Sequence, residues 1–206
     1  MEQNAAAEHL QVIRTLMERS ALYRRTLAPI MLFVGTVGVV AAAGGIGFKM
    51  AAMRAFCIWW LTAAVVAVAG AFVIARKQAL KDREPFWSPP TRRVTQALTP
   101  PLASGLLFSL LFTVFEVEDL VLLFVFLNLF FYGCALHAAA FFMPRGVKLF
   151  GWLILALAGA ALLTLAILEA DSSALLNHLL MGFFFGVLHL AYGVYLYVTE
   201  KRKTAA

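Results

Sequence analysis

Three histidines lie inside long apolar stretches of this chain, and an imidazole in such surroundings is a first candidate for chemistry. His137 follows Gly133 by four residues, His189 follows Gly186 by three, and His178 lies eleven residues before His189. A glycine about one helical turn from a histidine leaves a side-chain-free surface beside the imidazole ring. Ionisable groups inside membrane spans tend to mark ligand sites or proton paths, so these positions are the candidate functional residues.

One hypothesis makes His137 and His189 the axial ligands of a haem b. Bis-imidazole ligation needs two histidines on facing helices, and Gly133 and Gly186 would leave room for the flat ring. At a rise of about 1.5 Å per residue, His137 lies roughly 10 Å and His189 roughly 16 Å from the cytoplasmic ends of their predicted helices. Both imidazoles are therefore expected in the same half of the membrane. The leading expectation is nevertheless that the chain carries no cofactor and no metal.

Two further hypotheses concern the last apolar stretch of the chain. At 100° per residue, five of its residues fall within about 80° of one another on a helix. These residues are His178, Gly182, Gly186, His189 and Gly193. Gly182 and Gly186 form a small-xxx-small motif, which predicts a close helix contact in which the histidines donate hydrogen bonds. The alternative is a proton or ligand relay through His178, His189 and Tyr192.

The elements that position these residues are predicted to be membrane-spanning helices. Hydrophobic residues make up 63% of the 206 residues and charged residues 14%, whereas a soluble domain is about half apolar and a quarter charged. A spanning helix needs about 20 mostly apolar residues. Six stretches approach or meet this length: 27–48, 55–75, 101–115, 120–143, 147–168 and 175–199. The predicted fold is an all-α, six-helix transmembrane bundle.

The basic residues predict how this bundle is oriented. If the N-terminus is inside, 15 of the 17 Lys and Arg residues fall on the cytoplasmic side, and Lys49 and Arg54 alone fall outside. Short cytoplasmic loops carry an excess of Lys and Arg, so both termini are expected in the cytoplasm. The net charge of +6 then reflects orientation and contact with the lipid bilayer, and not binding of nucleic acid.

Three segments lie outside the predicted spans. Residues 1–26 are predicted to form a cytoplasmic amphipathic helix, because apolar residues recur at helical spacing within 10–17. The connection 76–100 is the longest polar segment. Residues 200–206 are predicted to be a cytoplasmic tail.

The connection 76–100 is predicted to contain a short interfacial helix. Ser88 followed by Pro89 favours a helix start, since proline is tolerated in the first turn. Pro100 and Pro101 are predicted to stop this helix, because proline disfavours the α conformation in the residue before it. The third span is then short.

Three segments of the chain resemble a set of small bacterial multi-pass membrane proteins of unknown function. They are Phe-Trp-Ser-Pro-Pro-Thr-Arg-Arg-Val-Thr-Gln-Ala-Leu-Thr-Pro-Pro at 86–101, Tyr-Gly-x-x-x-His-Ala-Ala at 132–139 and Gly-x-x-His-x-x-Tyr-Gly at 186–193. The resemblance extends from the second span onward. It implies a bacterial inner-membrane protein and brings no activity or catalytic residues with it.

The residues that are missing weigh against an enzyme. The sequence has no H-E-x-x-H zinc motif and no G-x-S-x-G nucleophile motif. It also has no acidic or basic residue in the middle of a predicted span, which disfavours transporters coupled to protons or cations. The leading expectation is a non-enzymatic accessory, sensory or regulatory component that engages a cytoplasmic or membrane protein partner through its basic face. The alternatives are a haem-b-binding redox subunit, using His137 and His189, and a small permease for an uncharged or lipophilic solute.

Overall fold

The protein is an all-helical membrane bundle in the part of the chain that its structure describes. The computed structural model describes residues 26–83, 85–115 and 120–204, with side chains as far as residue 199. Six helices in these ranges are long and apolar enough to cross a membrane, which confirms the predicted fold class. The amphipathic helix predicted for residues 1–26 lies, except for Thr26, outside the described residues.

The helices follow the predicted apolar stretches to within a few residues at most ends. Their bounds are α1 Thr26–Gly47, α2 Met53–Lys81, α3 Pro89–Phe115, α4 Val121–Ala139 and α5 Arg145–Ile167. The sixth span consists of α6 (Ala174–Met181), a π-helical segment (Gly182–Val187) and α7 (Leu188–Thr204). Helix α7 therefore extends into the predicted tail of residues 200–206. Helix α4 ends four residues before the predicted Met143, and residues 140–143 form a turn that leads into Pro144.

The connection between α2 and α3 is much shorter than the predicted segment 76–100. Residues 76–81 complete α2, and α3 begins at Pro89, as predicted. The predicted stop at Pro100 and Pro101 is wrong, because both prolines lie inside α3. The two prolines lack the N–H groups that would bond to the carbonyls of Gln96 and Ala97, four residues earlier. On either side of the pair, Thr99 Oγ1 donates to the Thr95 carbonyl at 2.7 Å, and Ser104 Oγ donates to the Pro100 carbonyl at 3.0 Å.

Neighbouring helices run antiparallel, so the connections gather at two ends of the bundle. Helices α2 to α5 pack in chain order, each against the next. The connections 82–88 and 140–144 lie at the end where α1 starts and α7 finishes, which we call the basic end. The connections 48–52 and 168–173 lie at the other end, which we call the opposite end.

Helix α1 and the sixth span lie unusually close to each other. A Cβ atom built on Gly35 would lie 2.6 Å from the backbone nitrogen of Leu190, and one built on Gly193 would lie 2.9 Å from the backbone nitrogen of Leu32. Real Cβ atoms do not approach a backbone this closely, so only glycine fits these positions. The register of the contacts, early residues of α1 against late residues of the sixth span, makes the pair antiparallel.

The sixth span also contacts α2, α4 and α5, which makes it the hub of the bundle. Its His178 packs against Trp60 of α2, with ring centroids 6.1 Å apart, and Tyr192 stacks on Phe150 of α5 at 4.5 Å. Helices α2 and α3, by contrast, have few buried residues in their apolar windows. Their exposed apolar side chains form the surface that faces lipid.

Candidate functional site

His178 is buried at the opposite end of the bundle and uses both ring nitrogens. Trp60 Nε1–H donates to His178 Nδ1 at 3.1 Å, and His178 Nε2 lies 3.0 Å from the carbonyl oxygen of Met50. A carbonyl only accepts, so Nε2 carries the proton and Nδ1 accepts from the indole. The Phe56 ring packs 4.7 Å from the imidazole, centroid to centroid. The neutral imidazole thus ties α2 and the α1–α2 connection to the sixth span.

His189 is also fully buried, and its hydrogen bonds fix the other tautomer. Its Nδ1 lies 2.9 Å from the Phe184 carbonyl oxygen, and its Nε2 lies 2.6 Å from the Tyr132 hydroxyl. Nδ1 therefore donates to the carbonyl, and Nε2 accepts from the Tyr132 hydroxyl. Tyr132 belongs to α4, so this pair joins α4 to the sixth span.

The π-helical segment sets the local backbone of the sixth span beside His189. Its backbone bonds reach five residues back, as from the Leu188 N–H to the Phe183 carbonyl. The His189 side chain likewise bonds to a carbonyl five residues earlier, that of Phe184. Single π-helical turns inside α-helices are rare and often coincide with functional sites. Here the segment coincides with the buried histidine.

His137 lies apart from this arrangement, on the side of α4 that faces α5. Its ring packs against Trp152 at 5.2 Å and against Phe141 at 5.8 Å, measured between centroids. Its Nδ1 is buried and has no hydrogen-bond partner among the described residues. The three rings of His137, His178 and His189 therefore have separate neighbours.

The glycine surfaces beside His137 and His189 are covered by other helices. A Cβ built on Gly133 would lie 2.7 Å from the Leu155 side chain of α5, and one built on Gly186 would lie 2.9 Å from the backbone nitrogen of Val39 in α1. These glycines serve helix packing in this arrangement. Haem ligation by His137 and His189 stays a prediction. It would require Tyr132 to release His189 Nε2 and the flanking helices to separate.

The hypothetical relay through His178, His189 and Tyr192 is not a continuous hydrogen-bonded chain among the described residues. The Tyr192 hydroxyl is buried without a partner there, and its ring stacks on Phe150. No group of three or more His, Cys, Asp or Glu side chains in the described ranges could hold a metal ion. Cys57 and Cys134 are free thiols.

Two cavities lie near His178, one lined by its partner Trp60 and the other by its neighbour Asn177. A cavity of about 90 Å³ lies between α1, α2, α3, α4 and the sixth span, and Trp60, Phe124, Ser109 and Asn128 are among its lining residues. Ser109 and Asn128 hydrogen-bond to each other at 3.2 Å across α3 and α4. A larger pocket of about 650 Å³ opens at the opposite end of the bundle. We call it the Asn177 pocket; it is lined by Ala51, Ala52, Met53, Val121, Asp171, Ser172, Ala174 and Asn177.

Sequence reasoning missed the partners that define this site: Trp60, Tyr132 and Asn177. In the sequence, Trp60 and Tyr132 look like ordinary aromatic residues of an apolar stretch, since nothing in their spacing pairs them with a distant histidine. Asn177 could have been recognised as a candidate site residue from the sequence, because it is a polar residue next to His178 within the first turns of a predicted span. No protein-family model matches the chain, and neither the curated proteins nor the solved structures contain a significant match.

Proposed function

We propose that the protein is a non-enzymatic, multi-pass component of a bacterial inner membrane that acts as an accessory, sensory or regulatory subunit through its basic end. The observation that carries this proposal is a concentration of exposed cationic side chains at that end. They are Arg76, Lys77, Lys81, Arg83, Arg92, Arg93, Arg145 and Lys148. Asp82 is the one acidic side chain described there, and it accepts a hydrogen bond from Gln78 at 2.9 Å. An anionic protein surface or anionic lipid headgroups would complement this end.

The buried histidines support a structural and not a catalytic core. His178 and His189 each have both ring nitrogens hydrogen-bonded, so neither presents a free nitrogen as a base or a metal ligand. Interhelical bonds of this kind stabilise membrane bundles by about 0.6 to 2 kcal/mol each. A rigid bundle with a charged end suits a component that docks another protein.

Site-specific photocrosslinking in living cells tests this proposal. A benzoyl-phenylalanine at Lys81 or at Lys148 samples the basic end, and one at Leu168 samples the opposite end as the matched control. We expect a light-dependent adduct of discrete mass from the two basic-end positions and none from Leu168. Replacing Arg92 and Arg93 by Gln should weaken that adduct. Equal labelling at all three positions, or none at either basic-end position, would contradict the proposal.

A small permease for an uncharged solute is the second candidate, favoured by the position of the two cavities. Trp60 lines the central cavity and hydrogen-bonds to His178, while the neighbouring Asn177 lines the outer pocket. His178, Trp60 and Phe56 therefore separate the two spaces. A passage along this line would open where these rings move.

Light scattering from proteoliposomes tests the permease. Vesicles containing the protein should swell in glycerol faster than empty vesicles, and Trp60→Ala should increase the rate because it removes the largest separating ring. Trp152→Ala is the control, because Trp152 is 54% exposed on the outside of α5. Identical rates for empty vesicles, wild type and Trp60→Ala would rule out a glycerol pathway here.

A further inference from the structure

Asn177 holds an unsatisfied polar atom in a place where such an atom is costly. The residue is 2% exposed, and its Nδ2 donates to the Ser172 hydroxyl at 3.0 Å. Its Oδ1 has no hydrogen-bond partner among the described residues. Burial takes away the hydrogen bonds that a carbonyl oxygen makes to water, and this loss is not offset when no protein group replaces them. Asn177 lines the pocket named after it, so a ligand that donates a hydrogen bond would restore the lost partner once a rotation of the amide opens Oδ1 to the pocket.

The other residues of the Asn177 pocket indicate the class of that ligand. Asp171 contributes an acidic side chain, and Ser172 a hydroxyl. The apolar part of the lining comes from short side chains and Met53. At about 650 Å³ the pocket is large enough for a small organic molecule. Acceptor atoms beside an apolar wall complement a positively charged donor on a short carbon chain.

We propose that the Asn177 pocket binds a small organic ammonium ion, with its N–H groups on Asn177 Oδ1 and the Asp171 carboxylate and its alkyl part against Met53 and Val121. Hydrogen bonds between charged partners are about twice as strong as neutral ones, so Asp171 provides most of the affinity. This site goes beyond the proposed role of the basic end and stands independently of it.

The start of α2 makes an anion the main competing ligand. Ala52 and Met53 line the pocket, and Ala52 supplies no side-chain cap to the first turn of α2. A helix N-terminus favours anions. The start of α6, on the other wall, is already capped, since Leu176 N–H donates to Ser173 Oγ at 3.2 Å. The buried Oδ1 of Asn177 accepts and cannot donate, so it selects against an anion.

Saturation-transfer NMR on the full-length protein in detergent tests the proposal with three matched probes. They share one four-carbon chain: n-butylammonium, n-butanol and n-butyrate. Two variants remove the same charge from the same connection: Asp171→Asn inside the pocket and Glu169→Gln outside it. We expect saturable binding of n-butylammonium to wild type and to Glu169→Gln, and about tenfold weaker binding to Asp171→Asn. Asn177→Leu should also weaken binding.

Each other outcome of this experiment overturns the ammonium site. Equal binding to Asp171→Asn and wild type would show that the Asp171 carboxylate does not bind the ligand. Saturable binding of n-butyrate in place of n-butylammonium would assign the pocket to anions through the start of α2. Equal loss of binding in Glu169→Gln and Asp171→Asn would show a general charge effect at this end of the molecule. Asp171 is exposed, so its variant is expected to fold even where Asn177→Leu does not.

Discussion

The hydrogen bonds of the buried imidazoles explain how histidine is tolerated inside this bundle. A polar group in an apolar interior is costly when it lacks a partner, and both His178 and His189 have one at each nitrogen. The two residues use opposite tautomers because a backbone carbonyl faces Nε2 in His178 and Nδ1 in His189. A change to either partner side chain, Trp60 or Tyr132, would therefore leave a ring nitrogen unsatisfied.

Tyr132→Phe is expected to destabilise the protein by about 0.6 to 2 kcal/mol, the range for an interhelical hydrogen bond in a membrane. The change removes the hydroxyl that donates to His189 Nε2 and keeps the ring that packs 5.1 Å from Phe185. The measurement is the thermal unfolding midpoint in mild detergent. Tyr195→Phe is the control, because Tyr195 is 61% exposed. Equal midpoints for the two variants would show that the Tyr132 bond contributes nothing.

At the scale of helices, the contact between α1 and the sixth span depends on residues without side chains. A Cβ on Gly38 would collide with the backbone carbonyl of Phe185, whereas one on Gly159 would meet nothing within 4 Å. A flexible side chain can move away from a new methyl group, but a helix backbone cannot do so without displacing the helix. Two identical substitutions at these glycines are therefore expected to have opposite effects.

Gly38→Ala is predicted to lower the free energy of unfolding by about 1 to 3 kcal/mol, as overpacking does in tight interiors. Gly159→Ala should leave the stability unchanged or raise it by up to about 1 kcal/mol, because alanine has the higher helix propensity. Thermal unfolding of both variants in the same detergent provides the comparison. A stable Gly38→Ala variant would disprove the close contact. Gly186→Leu should likewise destabilise, since Gly186 lies against Val39.

Backbone conformation at the end of α5 predicts a substitution that raises the stability of the protein. Glu169 follows the last turn of α5 with φ of 47°, a left-handed conformation that glycine adopts without strain. Glu169→Gly is expected to stabilise the protein by about 1 kcal/mol. Glu169→Ala removes the same carboxylate and keeps the Cβ, so it should bring no such gain. A midpoint no higher for Gly than for Ala would contradict this account.

The sequence was sufficient for the number of spans, but not for all of their bounds or for their pairing. Uninterrupted apolar runs gave the six spans, because a chain in lipid must satisfy its backbone within each helix. The glycines of the sixth span indicated a close contact, yet nothing in the sequence names α1 as the partner. Pro100 and Pro101 misled the prediction, since prolines are tolerated inside helices that cross a membrane. The Asn177 pocket depends on connections at one end coming together, which no local pattern encodes.

For the whole molecule, the distribution of charge decides which end faces the cytoplasm. Eight exposed basic side chains lie at the basic end, whereas Lys49 and Arg54 share the opposite end with Glu169 and Asp171 in the described chain. Each Lys or Arg near an anionic leaflet contributes about 1 kcal/mol, so the basic end is expected to stay on the cytoplasmic side.

Reporter fusions measure this orientation directly. Green fluorescent protein fused after Ala206 should fluoresce, and alkaline phosphatase at the same position should be inactive, because the first works in the cytoplasm and the second outside it. Fusions after Ala170, at the opposite end, should show the reverse pattern. Active phosphatase after Ala206 would show that the bundle has the opposite orientation. The basic end would then face away from every cytoplasmic partner, and the Asn177 pocket would open to the cytoplasm, so this one result would redirect both proposals.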